Sequence, residues 1–353
     1  MKNIRTEEEI ISKWKGGINE PTVSICCLTY NHDKYIADTL DSFLMQETDF
    51  SFEVIINDDC SQDNTAMILK DYENRYPNII KPIYQEANQL SQGVGPLSEF
   101  IFPIAKGQFI AICDGDDFWI SSTKLKNQVN EFYKNDNLTL VHSDVGHLVS
   151  LFKNEDRLCL GINTLTKRMI ICGDMKKESW LSCPIYTCSM MIKKNVINEY
   201  LESGITDNLG MGSGDRAMYL FAAQRGEIGY LKEITSVYRE NISSLTNSNK
   251  KNFIDFAIAV NKLIDFSLDY FSANNDLRYR CSQLSKNRIF KAILKFGSFK
   301  DIKRAGVGDV LSRRKLLLLY VAKSIFIEKI YSNHLHYKRL LKIWFYYSKK
   351  INY

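Results

Sequence analysis

The chain has 353 residues, 45% hydrophobic and 25% charged, which is an ordinary globular balance. With 6 Pro and 18 Gly, collagen-like and mucin-like chains are excluded, and the length suits two domains or one large α/β domain with an appendage. The net charge of +5 is uneven: residues 286–353 hold 17 Lys/Arg against 3 Asp/Glu, so an acidic body carries a basic tail that points to an anionic partner.

In chain order, Glu7 to Trp14 reads as a short helix, closed by Gly16-Gly17. Val23 to Leu28 is a continuous apolar run, too short for a helix, and predicts a buried strand. The polar turn Thr29-Tyr30-Asn31-His32-Asp33 follows, and Ile36, Leu40, Phe43 and Leu44 then recur at helical spacing. The unit repeats. Phe52 to Ile56 is a second strand, 57–63 a second polar turn, and Thr65, Ile68, Leu69, Tyr72 and Tyr76 a second helix face. Ile79 to Tyr84 and Phe109 to Cys113 are further strands. Strands alternating with helices predict a mostly parallel sheet covered by helices. In such sheets ligands bind at the carboxyl ends of the strands, where the clusters 29–33, 57–63 and 114–117 fall. From about residue 250 the apolar spacing is helical, as in Phe253, Phe256, Val260, Leu263 and Ile264, and later in Leu318, Val321 and Ile325.

The cysteines number 9, mostly in apolar runs, with no Cys-x2-Cys pair. They read as free thiols of a reducing compartment, not as a disulfide framework or a zinc site. The N-terminus has no apolar signal core, and the longest apolar stretch, Leu316 to Ala322, is too short for a bilayer. A cytoplasmic protein is expected. Neither Gly-x-Gly-x-x-Gly, a Walker loop nor Gly-x-Ser-x-Gly occurs, which removes most dinucleotide, NTPase and hydrolase readings.

Three segments can carry chemistry. Asp114-Gly115-Asp116-Asp117 follows an apolar strand directly. Carboxylates this crowded repel unless a cation joins them, and hard oxygen donors suit Mg²⁺ or Mn²⁺; the plain alternative is a solvated acidic turn with Asp117 capping a helix. Asn57-Asp58-Asp59 ends the second strand. It either offers a carboxylate to a ligand's NH or OH, or stays solvated while Asp63 and Ser61 cap the next helix. Gly212-Ser213-Gly214-Asp215-Arg216 opens an apolar helical segment, where Asp215 is a general base or an N-cap. Taken alone, the cap is favoured. His142 ends a predicted strand and could approach the site, although a structural histidine is the commoner role.

Together these clusters resemble family-2 glycosyltransferases. Val23-Ser24-Ile25-Cys26-Cys27-Leu28-Thr29-Tyr30-Asn31 looks like their V-S-I-I-I-P-T-Y-N. Residues 53–65 resemble E-I-I-V-V-D-D-G-S-x-D-x-T, and Gly107 to Trp119 with Lys124-Leu125 is similar to G-x-Y-I-A-x-L-D-x-D-D-x-W…K-L. Gly214-Asp215 and Val237-Tyr238-Arg239 look like the acceptor half. Leu28 stands where Pro is usual, and Cys60 where Gly is usual, so a local difference in that turn is expected. Glu240-Asn241 replaces the His that many members carry after Tyr-Arg.

The resemblance covers about residues 7–240 and implies a GT-A fold and an inverting single displacement. It assigns Thr29, Tyr30, Asn31 and Asp59 to the nucleotide base and ribose, Asp114 to the donor, Asp114 and Asp116 to Mn²⁺ or Mg²⁺, and Asp215 to the acceptor hydroxyl as general base. The expected domains are an N-terminal extension (1–20), a GT-A transferase domain (21–245) and a helical basic region (246–353). The expected donor is a nucleotide-sugar, a UDP-sugar first. The expected acceptor is a glycan, lipid-linked through a polyprenyl diphosphate, in O-antigen or capsule assembly. The tail interleaves Lys338, Arg339, Lys342, Lys349 and Lys350 with Trp344, Phe345, Tyr346 and Tyr347. This suits an anionic membrane surface, hence peripheral association at the inner face of the membrane, or else a packed helical subdomain with a solvated face. Nucleic acid is not an expected partner, because the acidic body would repel it. A nucleotidyltransferase or a non-catalytic sugar-nucleotide-binding or scaffold protein are the alternatives.

Overall fold

The computed structural model describes residues 5–152, 155–159, 172–180, 183, 185–205, 214–240 and 250–296. The chain divides into two units, Met1–Leu284 and Ser285–Tyr353. Of the second, residues 285–296 are described, so the basic tail beyond them, including the helical spacing at Leu318 to Ile325, lies outside the described residues.

The first unit is built on a nine-stranded mixed sheet. Its strands are β1 (Val23–Thr29), β2 (Phe52–Asp58), β3 (Ile80–Tyr84), β4 (Phe109–Ile112), β5 (Phe118–Trp119), β6 (Leu138–Phe152), β7 (Glu155–Cys159), β8 (Met191–Lys193) and β9 (Glu227–Glu240). The order is β3-β2-β1-β4-β8-β6-β9-β5, with β7 paired to β6. The four strands read from the sequence form the parallel half. β8 then inserts antiparallel to β4 and β6, and β6 runs parallel to β9. The described helices are α1 (Glu7–Ile11), α2 (Ile36–Leu44), α3 (Thr65–Arg75), α4 (Lys124–Lys134), α5 (Lys194–Glu202), α6 (Gly214–Arg225), α7 (Lys250–Tyr270) and α8 (Asn275–Phe296). The N-terminal helix thus stops at Ile11 instead of reaching Trp14; Trp14 packs on Phe52, ring centroids 5.3 Å apart.

Alternation along β1 explains its apolar run, interrupted within Val23–Leu28 only at Ser24. Val23, Ile25 and Cys27 join the cluster that includes Ile36, Leu40 and Phe43 of α2 and Leu69 of α3. Cys26 faces the other way, with Ile55, Ile110 and the α6 residues Ala217 and Phe221. A strand covered on both faces has no polar side to show. Leu220 of α6 and Trp180 share a third cluster with Val260, Ile264 and Leu268 of α7, so α7 is part of the first unit.

Among the buried polar groups of this sheet, Glu53 is held by three donors. Glu53 of β2 lies beside Ser24 in register. Its carboxylate accepts from Ser24 Oγ at 2.6 Å, from the Lys106 N–H at 2.7 Å and from Lys81 Nζ at 2.5 Å. Ser24 Oγ in turn accepts the Gly107 N–H. A Cβ at Gly107 would lie 2.3 Å from Ser24 N, so glycine is required where the chain enters β4.

Candidate active site

The three polar loops emerge at the carboxyl ends of β1, β2 and β4. They are laced by their own side chains. Asn31 adopts φ 55°, a left-handed conformation that Asn tolerates better than most residues. Its N–H donates to Ser61 Oγ and its side-chain oxygen accepts from Gln62 N. Asp63 accepts from the Asp33 and Thr65 N–H groups and from Thr65 Oγ1, so it satisfies the first N–H of α3 from one position before the N-cap residue, Asn64. Ser61, by contrast, donates to Asp58. Burial raises the Asp63 carboxyl, but those hydrogen bonds outweigh it and leave its pKa low. Burial also raises Asp58, only partly offset by its bonds from Ser61. Cys60 itself takes φ 66°, so the side chain is carried in a backbone conformation that glycine enters at lower cost.

Asp59 is buried. Its two oxygens accept the N–H groups of Gln89 and Leu90 at 2.7 and 3.1 Å, which ties the loop before a short 3₁₀ turn to the site. Tyr30 is 42% exposed.

The acidic turn after β4 comes closest to β1 at Gly115. Its N–H donates to Leu28 O at 2.7 Å, and a Cβ there would lie 2.7 Å from Thr29 Oγ1 and 3.0 Å from His32 Nδ1. Only glycine permits this approach, which sets Asp114 and Asp116 on either side of it. Thr29 Oγ1 and His32 Nδ1 are buried without a hydrogen-bond partner. His32 Nε2 lies 4.0 Å from Asp116 Oδ2. Burial, then the charges of Asp116 and Asp215, push the Asp114 carboxyl up to about 7. Asp117 is buried and held far above the carboxylate range by burial and by Asp116 and Asp114. It is not a helix cap: its carboxylate accepts the Arg239 N–H.

Asp215 stands second in α6, half-buried, its carboxylate accepting the neighbouring Arg216 N–H at 2.7 Å. Burial raises it, against the lowering effects of that bond and of the Arg216 charge. Its action on Asp114 brings to the site a residue 101 positions away in sequence. Gly212 and Ser213 of the same motif lie outside the described residues. His142 does not end a strand. It is buried within β6 and packs at a tilt against Tyr230, ring centroids 5.2 Å apart. Sequence reading gave no role to His32 or Thr39 and placed Arg239 only in the motif that looks like the acceptor half; the importance of all three depends on contacts.

Among the described residues, no group of three or more His, Cys, Asp or Glu is placed to hold a metal ion. Mn²⁺ and Mg²⁺ ask less of a protein: one or two carboxylates, completed by substrate phosphates and water. Asp114 and Asp116 form such a hard-oxygen pair; burial first, and then repulsion, raises Asp114, and a divalent cation relieves the repulsion. The donor set fits that ion.

A parallel half-sheet with acidic loops at its carboxyl edge, extended by a mixed half that brings in a further carboxylate, is the GT-A architecture. The sequence matches the family Glycosyl transferase family 2 over residues 24–201, half of the chain, and the protein belongs to that family. Over 107 residues it is 40% identical to an uncharacterised protein of Mycobacterium tuberculosis, covering 30% of each chain. It is 24% identical over 339 residues to the minor teichoic acid biosynthesis protein GgaB of Bacillus subtilis, covering 91% of this chain and 35% of GgaB. The matches thus span about a third of the length of these relatives. Among solved structures, the mannosyltransferase PcManGT of Pyrobaculum calidifontis, in complex with GDP-Man and Mn²⁺, shares the fold. Its TM-score is 0.50 at 14% identity, over 86% of this chain and 84% of that one.

Proposed function

We propose that the protein is an inverting glycosyltransferase that moves a sugar from a nucleotide-sugar, a UDP-sugar first, to a hydroxyl of a cell-surface glycan. The observation that carries this reading is that the Asp114–Asp116 turn ends at the same sheet edge as the β1 and β2 loops, with Asp215 near enough for its charge to raise the Asp114 pKa. Thr29, Tyr30 and Asn31 would line the base and ribose site. Asp59 would join them, because a carboxylate has about four acceptor sites and the two N–H groups on Asp59 leave others. Asp114 and Asp116 would hold Mn²⁺ or Mg²⁺, which when bound offsets charge on the departing nucleoside diphosphate. Asp215 takes the proton of the acceptor hydroxyl, and its raised pKa makes it a stronger base than an ordinary carboxylate. No covalent intermediate is needed, so no nucleophilic side chain is. Similarity to GgaB supports a surface-glycan acceptor; its attachment to a polyprenyl diphosphate is part of the proposal.

A screen of UDP- and GDP-sugars with Mn²⁺ or Mg²⁺, detecting the released nucleoside diphosphate, tests the reading. Release with none of them would favour a binding or scaffold protein. Asp116→Asn keeps the shape but removes a charged oxygen, and is expected to abolish most of the metal dependence of UDP binding. Metal dependence equal to wild type would remove Asp116 from the site.

Among the described residues no helix is long and apolar enough to cross a membrane. The basic tail, net +14 over 286–353, is proposed to bind an anionic membrane surface. Liposome flotation of the full chain is expected to need anionic lipid and to fade at high salt, since screening acts over about 10 Å at 0.1 M. Equal flotation with neutral lipid would argue for a packed helical region instead.

A further inference from the structure

We propose that Arg239 is the positioning residue of the acidic turn: its guanidinium fixes the backbone at Asp116 so that Asp114 and Asp116 face one cation together. The proposal rests on the metal-binding reading of those two carboxylates given above.

Each carbonyl of the turn lies against a donor, although Gly115 O and Asp117 O share the single hydroxyl proton of Thr39. Asp117 N–H donates to Asp114 O at 3.0 Å. Thr39 Oγ1, from α2, lies 3.0 Å from Gly115 O and 2.6 Å from Asp117 O. The carbonyl between them, Asp116 O, takes its bond from Arg239 Nη1 at 3.1 Å. Arg239 also binds through its main chain, donating its N–H to Asp117 Oδ1 at 2.9 Å. Its other arm, Nη2, reaches Asp38 Oδ2 at 2.7 Å.

The guanidinium is held in place by two rings. Its carbon lies 4.4 Å from the Phe118 centroid and 5.0 Å from that of Tyr35. The Arg239 side chain is 10% exposed, whereas that of Asp38 is 63% exposed. A residue needed only for packing here would be apolar. A residue needed only for charge would not require a planar fork. Arg239 bonds two acceptors in different directions while stacking on aromatic faces, which a lysine cannot do. The carbonyl it holds belongs to Asp116 itself, so a shift of the guanidinium moves the backbone that carries that carboxylate.

The test is a Mn²⁺ titration of the full chain, followed by electron paramagnetic resonance at fixed UDP, beside melting temperatures. Groups that orient metal ligands typically cost about 10–100-fold in metal affinity when changed. Arg239→Lys, which keeps the charge and loses the fork, is expected to weaken Mn²⁺ binding by that amount with little change in melting temperature. Asp38→Asn acts at the exposed end of the contact, does not threaten the fold, and is expected to cost about threefold. It should cost nothing further in the Arg239→Lys background, because it acts through Arg239. Mn²⁺ affinity within about twofold of wild type in folded Arg239→Lys would overturn the proposal, as would equal losses from Asp38→Asn in both backgrounds. If Arg239→Lys does not fold, unchanged affinity in Asp38→Asn overturns it and a loss supports it. If the wild-type chain binds no Mn²⁺ with UDP, the metal-binding reading fails, and this proposal with it.

Discussion

Asp215→Asn is expected to lower the turnover of sugar transfer by about 10²–10⁴-fold, the usual loss when a general base is removed. The effect should fall on kcat, since the base acts in the transition state and contributes little to donor binding. Asn is nearly isosteric, and its side-chain oxygen can still accept the Arg216 N–H that Asp215 now holds at 2.7 Å. The charge lost from the first turn of α6 costs about 0.3–1 kcal/mol in helix-dipole terms, too little to unfold the domain. Arg216 stays anchored to Trp180 O at 3.0 Å. UDP affinity and melting temperature should therefore stay close to wild type while transfer fails. Near-normal transfer would reduce Asp215 to a helix-end residue and direct the search for the base to Asp144, buried within β6.

Glu53→Ala is expected to remove about 3 kcal/mol of stability without touching the site, because it strips a buried carboxylate from donors that then lack a partner. Lys81 is 39% exposed and can turn to water, which keeps the loss below that of a fully buried pair. Ser24 Oγ and the Lys106 N–H cannot rehydrate as readily. Burial acts to raise the Glu53 pKa, but the bonds from Lys81, Ser24 and Lys106 overcome it and leave the group below the usual glutamate range. A depressed folded pKa gives stability that is present above the unfolded value of about 4.3 and is lost as pH falls through the folded one. Urea unfolding should show Glu53→Gln less stable than wild type at pH 7, with the gap closing in acid. A gap that is independent of pH would mean that the Glu53 charge does not contribute.

The parallel half of the fold was legible in the sequence. Its central strands β1 and β4 are mostly apolar because both faces are covered, and its loops are polar because they end at an open edge. Local chemistry likewise pointed to Asp114, Asp116 and the helix-start role of Asp63, which depend on neighbours a few residues away. The register of the sheet decided the rest. β8, three residues long, is too short to declare itself by periodicity, yet it turns the sheet from parallel to mixed. His142 looked like the end of a strand because the polar residues Ser143 and Asp144 follow it, but β6 continues through Phe152. In its pairing with β9, whose end carries Arg239, Ser143 Oγ meets Thr235 Oγ1 at 2.5 Å. Asp59 and Asp215 were read from motifs, but the Gln89 and Leu90 N–H groups on the first and the repulsion of Asp114 by the second come from packing. The bond from Arg239 to Asp116 O spans 123 positions. Contacts of that length exist only once the whole sheet is assembled, because the position of each partner depends on every strand and helix packed between them.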